Sequence, residues 1–428
     1  MSFRKVILLI SIFVTSIFPL FFVKYNEPNL RLNIYIFLAK TGSLCGTILI
    51  FWQFLLGFRQ VFGKLIYDLL WVFKIHRRIG KYVLFIILLH PVFITLYYFE
   101  KTGTNPLVPD AGSSFFAYIL TGEIALFLFF VIVLTSIFLR SKLGHTVWYI
   151  FHVSSYIALP LVFIHSIAIG RTINNTLLGA VWMVFAVSVF LFFIFRLFCR
   201  LGMLSKKHEV SEVEAVGPGV VKISCRPFGP KVKPKLGQFI YFRRGFWGNI
   251  RPFTVSHYEN ESGKISVTVK AKGKTTNDLQ KIEPLERVYI EGPYGVFSHA
   301  ALKSNRPIVM VAGGIGITPF VRLFEELAYE PDRELHLFYG NRRKHEIIYK
   351  EELENAEHIN TIHVLSDEKD FDLETGYIST ELIKKYVGEL KRYEFLICGP
   401  PVMITKLENA LKEEGVSRER IHHELFSY

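Results

Sequence analysis

The chain has 428 residues, too many for one ordinary domain and enough for about three. Its 50 Lys and Arg against 37 Asp and Glu leave a formal charge of +13, but the basic residues flank apolar runs rather than forming one continuous face. That pattern is membrane flanking and excludes nucleic acid as the expected partner, while Cys45, Cys199, Cys225 and Cys398 are too scattered for a zinc site or a disulfide framework.

Apolar content is concentrated before residue 200. Arg4 and Lys5 precede an apolar run, Val6 to Val23, that looks like a signal peptide; no small-residue cleavage site follows, so it is expected to be an uncleaved first span. Further runs near residues 36–56, 79–99, 115–139, 146–169 and 177–199 are long enough, or nearly so, to cross a hydrocarbon core of about 30 Å. Loops on the N-terminal side carry Arg4 and Lys5, then Arg59, Lys64, Lys74, Arg77, Arg78 and Lys81, then Arg140 and Lys142, then Arg196, Arg200, Lys206 and Lys207. The other side has only Lys24, Arg31, Lys40, Lys101 and Arg171. The positive-inside rule therefore places both termini, and everything after residue 205, in the cytoplasm of a multi-pass membrane protein.

Beyond the spans the pattern changes twice. Val220–Ser224, Gln238–Phe242 and Ile265–Val269 alternate with period two between Gly/Pro turns, which predicts a small antiparallel β-barrel. From Pro307 strands at Ile308–Ala312, Glu334–Tyr339, Thr361–Leu365 and Phe395–Cys398 alternate with helices near 318–328, 347–356, 379–390 and 402–414. That alternation predicts an α/β doubly wound parallel sheet. The expected domains are a six-helix transmembrane bundle (1–204), an antiparallel β-barrel (205–304) and the α/β domain (305–428).

Four histidines lie in or at the end of the spans. His76 and His90 are fourteen residues apart and His152 and His165 thirteen, so each pair is separated by about 20 Å along its helix. Two facing helices would then present two levels of paired imidazoles, which is what bis-histidine haem requires. Fourteen residues leave the second ring about 40° from the first, and thirteen leave about 140°, which a straight helix cannot absorb. Pro160 lies between His152 and His165, and a kink or π-bulge there is expected to recover the phase. Ordinary interfacial or hydrogen-bonded histidines are the alternative, though ionisable residues inside a bilayer are rare and usually functional. His145 reads as interfacial. Glu123 is either a proton or cation site near the outer level or a satisfied polar residue between helices.

The strings His76-Arg77-Arg78-Ile79-Gly80 with His90, and Trp148 followed by His152, Tyr156 and His165, resemble the ferric-reductase-type transmembrane domain, whose family includes NADPH oxidases and iron and copper reductases. The resemblance implies two b-type haems, an inner one held by His76 and His152 and an outer one by His90 and His165. Arg77, Arg78 or Arg171 would either meet haem propionates or serve only as topology charges.

Arg251-Pro252-Phe253-Thr254-Val255-Ser256 closes a strand region and resembles the FAD motif of the ferredoxin-reductase family, with a guanidinium for pyrophosphate, an aromatic for the ring system and hydroxyls for the flavin's redox nitrogen. The oxidases often have His where Arg251 stands, so this position looks more like the soluble reductases. Gly273-Lys274-Thr275-Thr276, opening a short helix at Asn277, would offer backbone amides to the diphosphate, with Gly273, Thr275 and Thr276 as the contacts. Gly292-Pro293-Tyr294-Gly295 precedes the strand Ile308–Ala312, which runs into Gly313-Gly314-Ile315-Gly316-Ile317-Thr318-Pro319; a Gly-rich turn between strand and helix lets backbone approach a dinucleotide pyrophosphate. Arg342, Arg343 and Lys344 follow the second strand with no acidic residue among them, which favours NADPH and leaves NADH possible; a solvated loop is the alternative. Cys398-Gly399-Pro400-Pro401 matches the family's nicotinamide-proximal motif, placing Cys398 near the hydride path with Gly399 and Pro400 beside it. By the same resemblance Phe426, or else Tyr428, would cover the flavin until nicotinamide displaces it.

The resemblance thus implies electron transfer from cytosolic NADPH, through FAD and two haems, to a small-molecule acceptor outside. Dioxygen, giving superoxide, ranks first and ferric or cupric ion second. A donor module for an extracytoplasmic protein, or a carrier or sensor with a regulatory reductase, are the readings of another class. Apart from lipid, no calcium loop or added domain points to an obligatory protein partner.

Overall fold

The computed structural model describes residues 2–108, 110–330, 332–370 and 372–424. It divides into two compact units, Met1–Phe198 and Cys199–Tyr428.

In the first unit six apolar helical spans are long enough to cross a membrane: Phe3–Phe22, Leu30–Leu55, Leu69–Thr102, Phe116–Ile137, His145–Ile169 and Leu178–Arg200. The third is ten residues longer at its start than the apolar run alone indicates. Asp68 caps it by accepting from the Trp71 amide at 3.0 Å, and Gly103, in the left-handed region at φ 72°, ends it by bonding to the Phe99 carbonyl. Its 34 residues extend about 50 Å, well beyond the hydrocarbon thickness, so charged residues such as Arg77 and Arg78 ride on its end. This is why hydropathy placed its start too late.

The second span contains a π-turn at Thr41–Cys45, and Gly42 and Gly46 within and after it lie against His90 and Ile87 of the third. The fifth span is broken, but not where the sequence indicated. Its two helices, His145–Val153 and Ser155–Ile169, meet at Ser154, while Pro160 sits inside the second helix. At the break the Ser154 amide bonds to the Phe151 carbonyl (3.2 Å) and the Ile157 amide to the Ser154 carbonyl (2.9 Å), the tighter three-residue pattern. Such a turn advances about 120° per residue, recovering part of the ~140° by which thirteen residues fall short of four full turns.

The second unit opens with a closed antiparallel barrel of six strands: β1 (Lys206–Gly217), β2 (Val220–Pro227), β3 (Phe239–Arg244), β4 (Arg251–Tyr258), β5 (Ile265–Lys270) and β6 (Arg287–Tyr294), in the order β1-β2-β5-β4-β3-β6. Period-two reading found β2, β3 and β5 and missed β1, β4 and β6, whose charged and aromatic residues mask the alternation. Val210, Ile223, Phe242, Val255 and Val267 fill the interior. Next comes a parallel sheet of β7 (Ile308–Gly313), β8 (Leu335–Asn341), β9 (Asn360–Leu365), β10 (Glu374–Thr375), β11 (Glu394–Cys398) and β12 (Ile421–Glu424), ordered β10-β9-β8-β7-β11-β12. Apolar clusters cover both faces, as a doubly wound sheet requires. The two short edge strands were absent from the sequence reading because two and four residues give no usable period.

Candidate functional site

Across the third and fifth spans the four imidazoles meet in two pairs. The ring centroids of His76 and His152 are 6.1 Å apart, and those of His90 and His165 are 6.3 Å apart. In three of the four rings Nδ1 contacts a backbone carbonyl: His76 with Gln53 (2.9 Å), His90 with Ala39 (3.3 Å) and His165 with Tyr118 (2.9 Å). If Nδ1 donates there, Nε2 carries the lone pair, the usual arrangement of a metal-ligating histidine. The carbonyls have structural origins. Gln53 lies in the last turn of the second span, where carbonyls lack helical partners, and Ala39 lies two residues before the π-turn.

His152 is held differently. Its Nδ1 lies 3.4 Å from the Ser136 hydroxyl, and that oxygen also accepts from Trp148 Nε1 at 3.2 Å. The Trp148 ring stacks on His152 at 4.9 Å and 24°, with the Arg140 guanidinium 4.5 Å from its centre. Gly122 supports His165, since a Cβ at that position would overlap the imidazole. Ser136, Gln53, Ala39 and Gly122 were not found by sequence reasoning; they act through one hydroxyl, two carbonyls and a missing side chain, none of which leaves a spacing signal. His145 packs on Trp148 and Tyr149 outside the pairs. Glu123 keeps one buried carboxylate oxygen without a hydrogen-bond partner among the described residues.

The spacing fits a shared iron. Two metal–nitrogen bonds of about 2 Å, plus about 1 Å from each nitrogen to its ring centre, separate the centroids by about 6 Å. His76 with His152, and His90 with His165, are therefore the residues that could hold two haems.

In the barrel the flavin motif opens β4 rather than closing a strand, a correction that puts Arg251 at its exposed start. Pro252 and Phe253 follow, half-buried, with the Phe253 ring edge-on to Phe242 at 6.2 Å. Thr254 is buried and its hydroxyl has no partner among the described residues. An orphaned hydroxyl is unfavourable in a finished barrel, so this one fits a ligand acceptor such as a flavin ring atom. Ser256 does not share that freedom. It is fully buried, bonded to the Ser266 carbonyl and the Thr268 hydroxyl at 3.2 Å each, and Thr268 in turn bonds Tyr349. Burial pushes the Tyr349 phenol up to about 12, so it remains a proton donor or acceptor without charge. Ser256 is thus already tied into a hydroxyl network within the unit, unlike Thr254. Gly273, Thr275 and Thr276 sit at and in the first turn of the helix Lys274–Leu279, three residues earlier than expected, and Thr276 Oγ1 accepts from the Gly273 amide at 3.0 Å.

At the carboxyl ends of the sheet strands, Gly313, Gly316 and Gly399 are packing residues: a Cβ on Gly313 would meet Pro400 at 2.7 Å, and one on Gly316 would overlap the Cys398 carbonyl. Gly314 is different, at φ 53° with open space beyond it, so its backbone can approach a ligand. Thr318 and Pro319 open the helix Thr318–Leu327. Cys398 is 1 % exposed, and burial, then the nearby Glu424 carboxylate, push its thiol well above the usual range. It is a neutral thiol. Glu424 itself is buried, its Oε1 3.1 Å from where a Cβ of Gly295 would stand. The sequence reading passed over it because a single acid near a chain end has no motif. Phe426 and Tyr428 lie outside the described residues.

Arg342 and Arg343 are exposed just past β8. Lys344 is occupied: its Nζ pairs with Asp370 at 2.7 Å and its amide donates to Glu368 at 2.8 Å. The turn that looked free of acids in sequence therefore has two carboxylates brought to it from the loop after β9. A cavity of about 620 Å³ among Asp332, Glu334, His336, His358 and Asn360 lies at the opposite, amino-terminal ends of β8 and β9, away from the dinucleotide turn.

Residues 41–163 match the ferric reductase like transmembrane component, 229–299 the oxidoreductase FAD-binding domain and 310–409 the oxidoreductase NAD-binding domain. In chain order the protein therefore carries a ferric reductase like transmembrane component and oxidoreductase FAD- and NAD-binding domains, the fused arrangement that the sequence motifs suggest. Its six apolar spans and these domains make it a membrane-spanning oxidoreductase. It is 30% identical over 195 residues to one component of the Na(+)-translocating NADH-quinone reductase of Idiomarina loihiensis, covering 40% of this chain and 47% of that one. It is also 30% identical over 198 residues to NADH-cytochrome b5 reductase 2 of Chaetomium globosum, covering 40% and 57%. The chain thus spans about half the length of these curated relatives. A solved structure, the ferredoxin reductase in carbazole 1,9a-dioxygenase, is 21% identical over 52% of this chain and 69% of that one, with a TM-score of 0.47.

Proposed function

We propose that the protein moves electrons from NADPH on the cytoplasmic side, where both termini lie, through FAD and two b-type haems to dioxygen on the far side, giving superoxide. One observation carries the reading: two imidazole pairs at the spacing of bis-histidine ligation, one above the other along the same two spans. FAD supplies the conversion of a hydride's electron pair into single electrons, and haem supplies one-electron relay without bond making.

The chain's own residues do the rest. His76 and His152 would hold the inner haem and His90 and His165 the outer one, with Gln53, Ala39, Tyr118 and Ser136 setting the ring orientations. Thr254 offers its hydroxyl to the flavin, and Arg251, Gly273, Thr275 and Thr276 take its phosphates. Gly314 and the start of the helix at Thr318 and Pro319 receive the nicotinamide dinucleotide, Arg342 and Arg343 favour a 2′-phosphate, and Cys398, Gly399 and Pro400 wall the nicotinamide end. Each NADPH oxidised to NADP⁺ and a proton yields two electrons, hence two superoxide ions. Because each imidazole pair would occupy both ligand positions of its iron, neither pair leaves a site at which dioxygen could bind the metal.

The match to a ferric reductase like transmembrane component favours a second reading, reduction of ferric or cupric ion at the outer surface. The test uses purified full-length protein with FAD and NADPH. Superoxide-dismutase-sensitive dye reduction is measured in air, and ferric chelate reduction under anaerobiosis. Superoxide formation near the rate of NADPH consumption is expected. Rapid anaerobic iron reduction with negligible superoxide would replace dioxygen with iron, and silence in both assays would point to a protein acceptor.

A further inference from the structure

The hairpin tip between β3 and β4, Gly245-Phe246-Trp247-Gly248, carries an exposed aromatic pair. Trp247 is 84% exposed, and Phe246 packs edge-on to it at 4.9 Å. A lone exposed tryptophan is common, but this one is anchored in a specific place. Arg243, at the root of the tip, donates to the carbonyl of Arg200 at 3.0 Å, and Arg200 is the residue at which the sixth span ends. The same guanidinium lies 5.8 Å from the Phe246 ring centre and 5.0 Å from that of Tyr289, fixing the aromatic cluster to the point where the chain leaves the bilayer. Gly202, at φ 73°, is what admits it, because a Cβ there would overlap the guanidinium.

Between Arg200 and β1 two further apolar side chains, Met203 and Leu204, are 63% and 54% exposed. Trp247 lies four positions beyond Arg243, a reach of at most about 14 Å, enough to enter the headgroup layer of about 5–8 Å on either side of the hydrocarbon core. Exposed cations at Arg200 and Lys207 accompany the apolar surface, the composition that anionic headgroups favour. Tryptophan prefers this layer because its ring is apolar and its N–H is wet.

We propose that Phe246 and Trp247, together with Met203 and Leu204, form an interfacial anchor that lies in the headgroup region of the inner leaflet, so that lipid is the occupant of this surface. The inference rests on the membrane spans and not on the electron-transfer reading.

The four native cysteines are buried, so a single introduced thiol can be labelled selectively. Full-length Trp247→Cys is labelled with an environment-sensitive fluorophore in nanodiscs of phosphatidylcholine and phosphatidylglycerol, with Tyr377→Cys, at an 83% exposed position, as the solvated reference. Retained flavin absorbance serves as the folding check. The label at 247 is expected to emit at shorter wavelength than the reference and to lose roughly half its intensity when the lipids carry a spin label near the headgroup. Emission like that of the reference overturns the proposal. Blue-shifted emission that the lipid quencher leaves unchanged also overturns it, because the tip would then pack on protein rather than lipid.

Discussion

The two units hold their candidate sites in different ways. In the membrane unit the chemistry is carried by side chains on long helices: four imidazoles, each oriented by a carbonyl or hydroxyl from another span. In the soluble unit it is carried largely by backbone at turns, where Gly313, Gly316 and Gly399 remove side chains so that strand ends can close on one another. The first kind of site leaves a periodic trace in sequence and is constrained beyond its ligands by a few orienting neighbours such as Ser136 and Gly122. The second leaves only a local motif and depends on absent atoms. The same change of one carbon should therefore act differently in the two units.

The largest expected effect is on the ligands. His90→Ala should lower haem content from two to one per chain by pyridine haemochrome and cut acceptor reduction by roughly 100-fold or more, while NADPH still reduces the flavin. Two haems retained in that variant would dissolve the contrast. Next is Gly316→Ala, whose added methyl meets backbone at Cys398 and cannot be relieved by a rotamer change. A loss of about 1–3 kcal/mol in stability and a raised KM for NADPH are expected, and unchanged values would show that the turn is looser than it looks.

Thr254→Val separates a ligand role from a packing role. Because the hydroxyl is buried without a partner, the flavin-free protein should be no less stable, while flavin reduction slows about 10-fold by stopped flow. A stability loss with normal flavin reduction would make Thr254 a packing residue. Ser136→Ala should weaken haem retention at the inner site by about 10-fold, and the outer site should not change. Equal loss at both sites would mean that the serine serves the bundle and not His152.

The smallest effect concerns pH. His208 is fully buried within the barrel, and burial lowers its pKa below the ordinary 6.5. Below pH 6.5 the unfolded chain binds a proton that the folded one refuses. Stability is therefore full above that pH and falls as pH drops toward the folded pKa, by at most about 1.4 kcal/mol per unit. His208→Phe should flatten this part of the profile, read from the temperature of flavin release at pH 5 and pH 7. An unchanged slope would assign it to other groups.

Hydropathy, basic flanks and the spacing of His76, His90, His152 and His165 were sufficient to read six spans and two paired levels, because a helix converts residue number into height and angle. The Gly-rich and Cys-Gly-Pro motifs likewise marked the turns at the carboxyl ends of β7 and β11, since strand, turn and helix are consecutive in the chain. Other features were decided only when distant segments met. Ser154 rather than Pro160 breaks the fifth span, and Ser256 joins a hydroxyl network with Thr268. Glu368 and Asp370 arrive beside Lys344 from another strand's loop, and the Gln53 and Ala39 carbonyls become orienting groups through the end of one helix and a π-turn. Each of these depends on which polar atom is left without a local partner, and that is known only after the elements have packed.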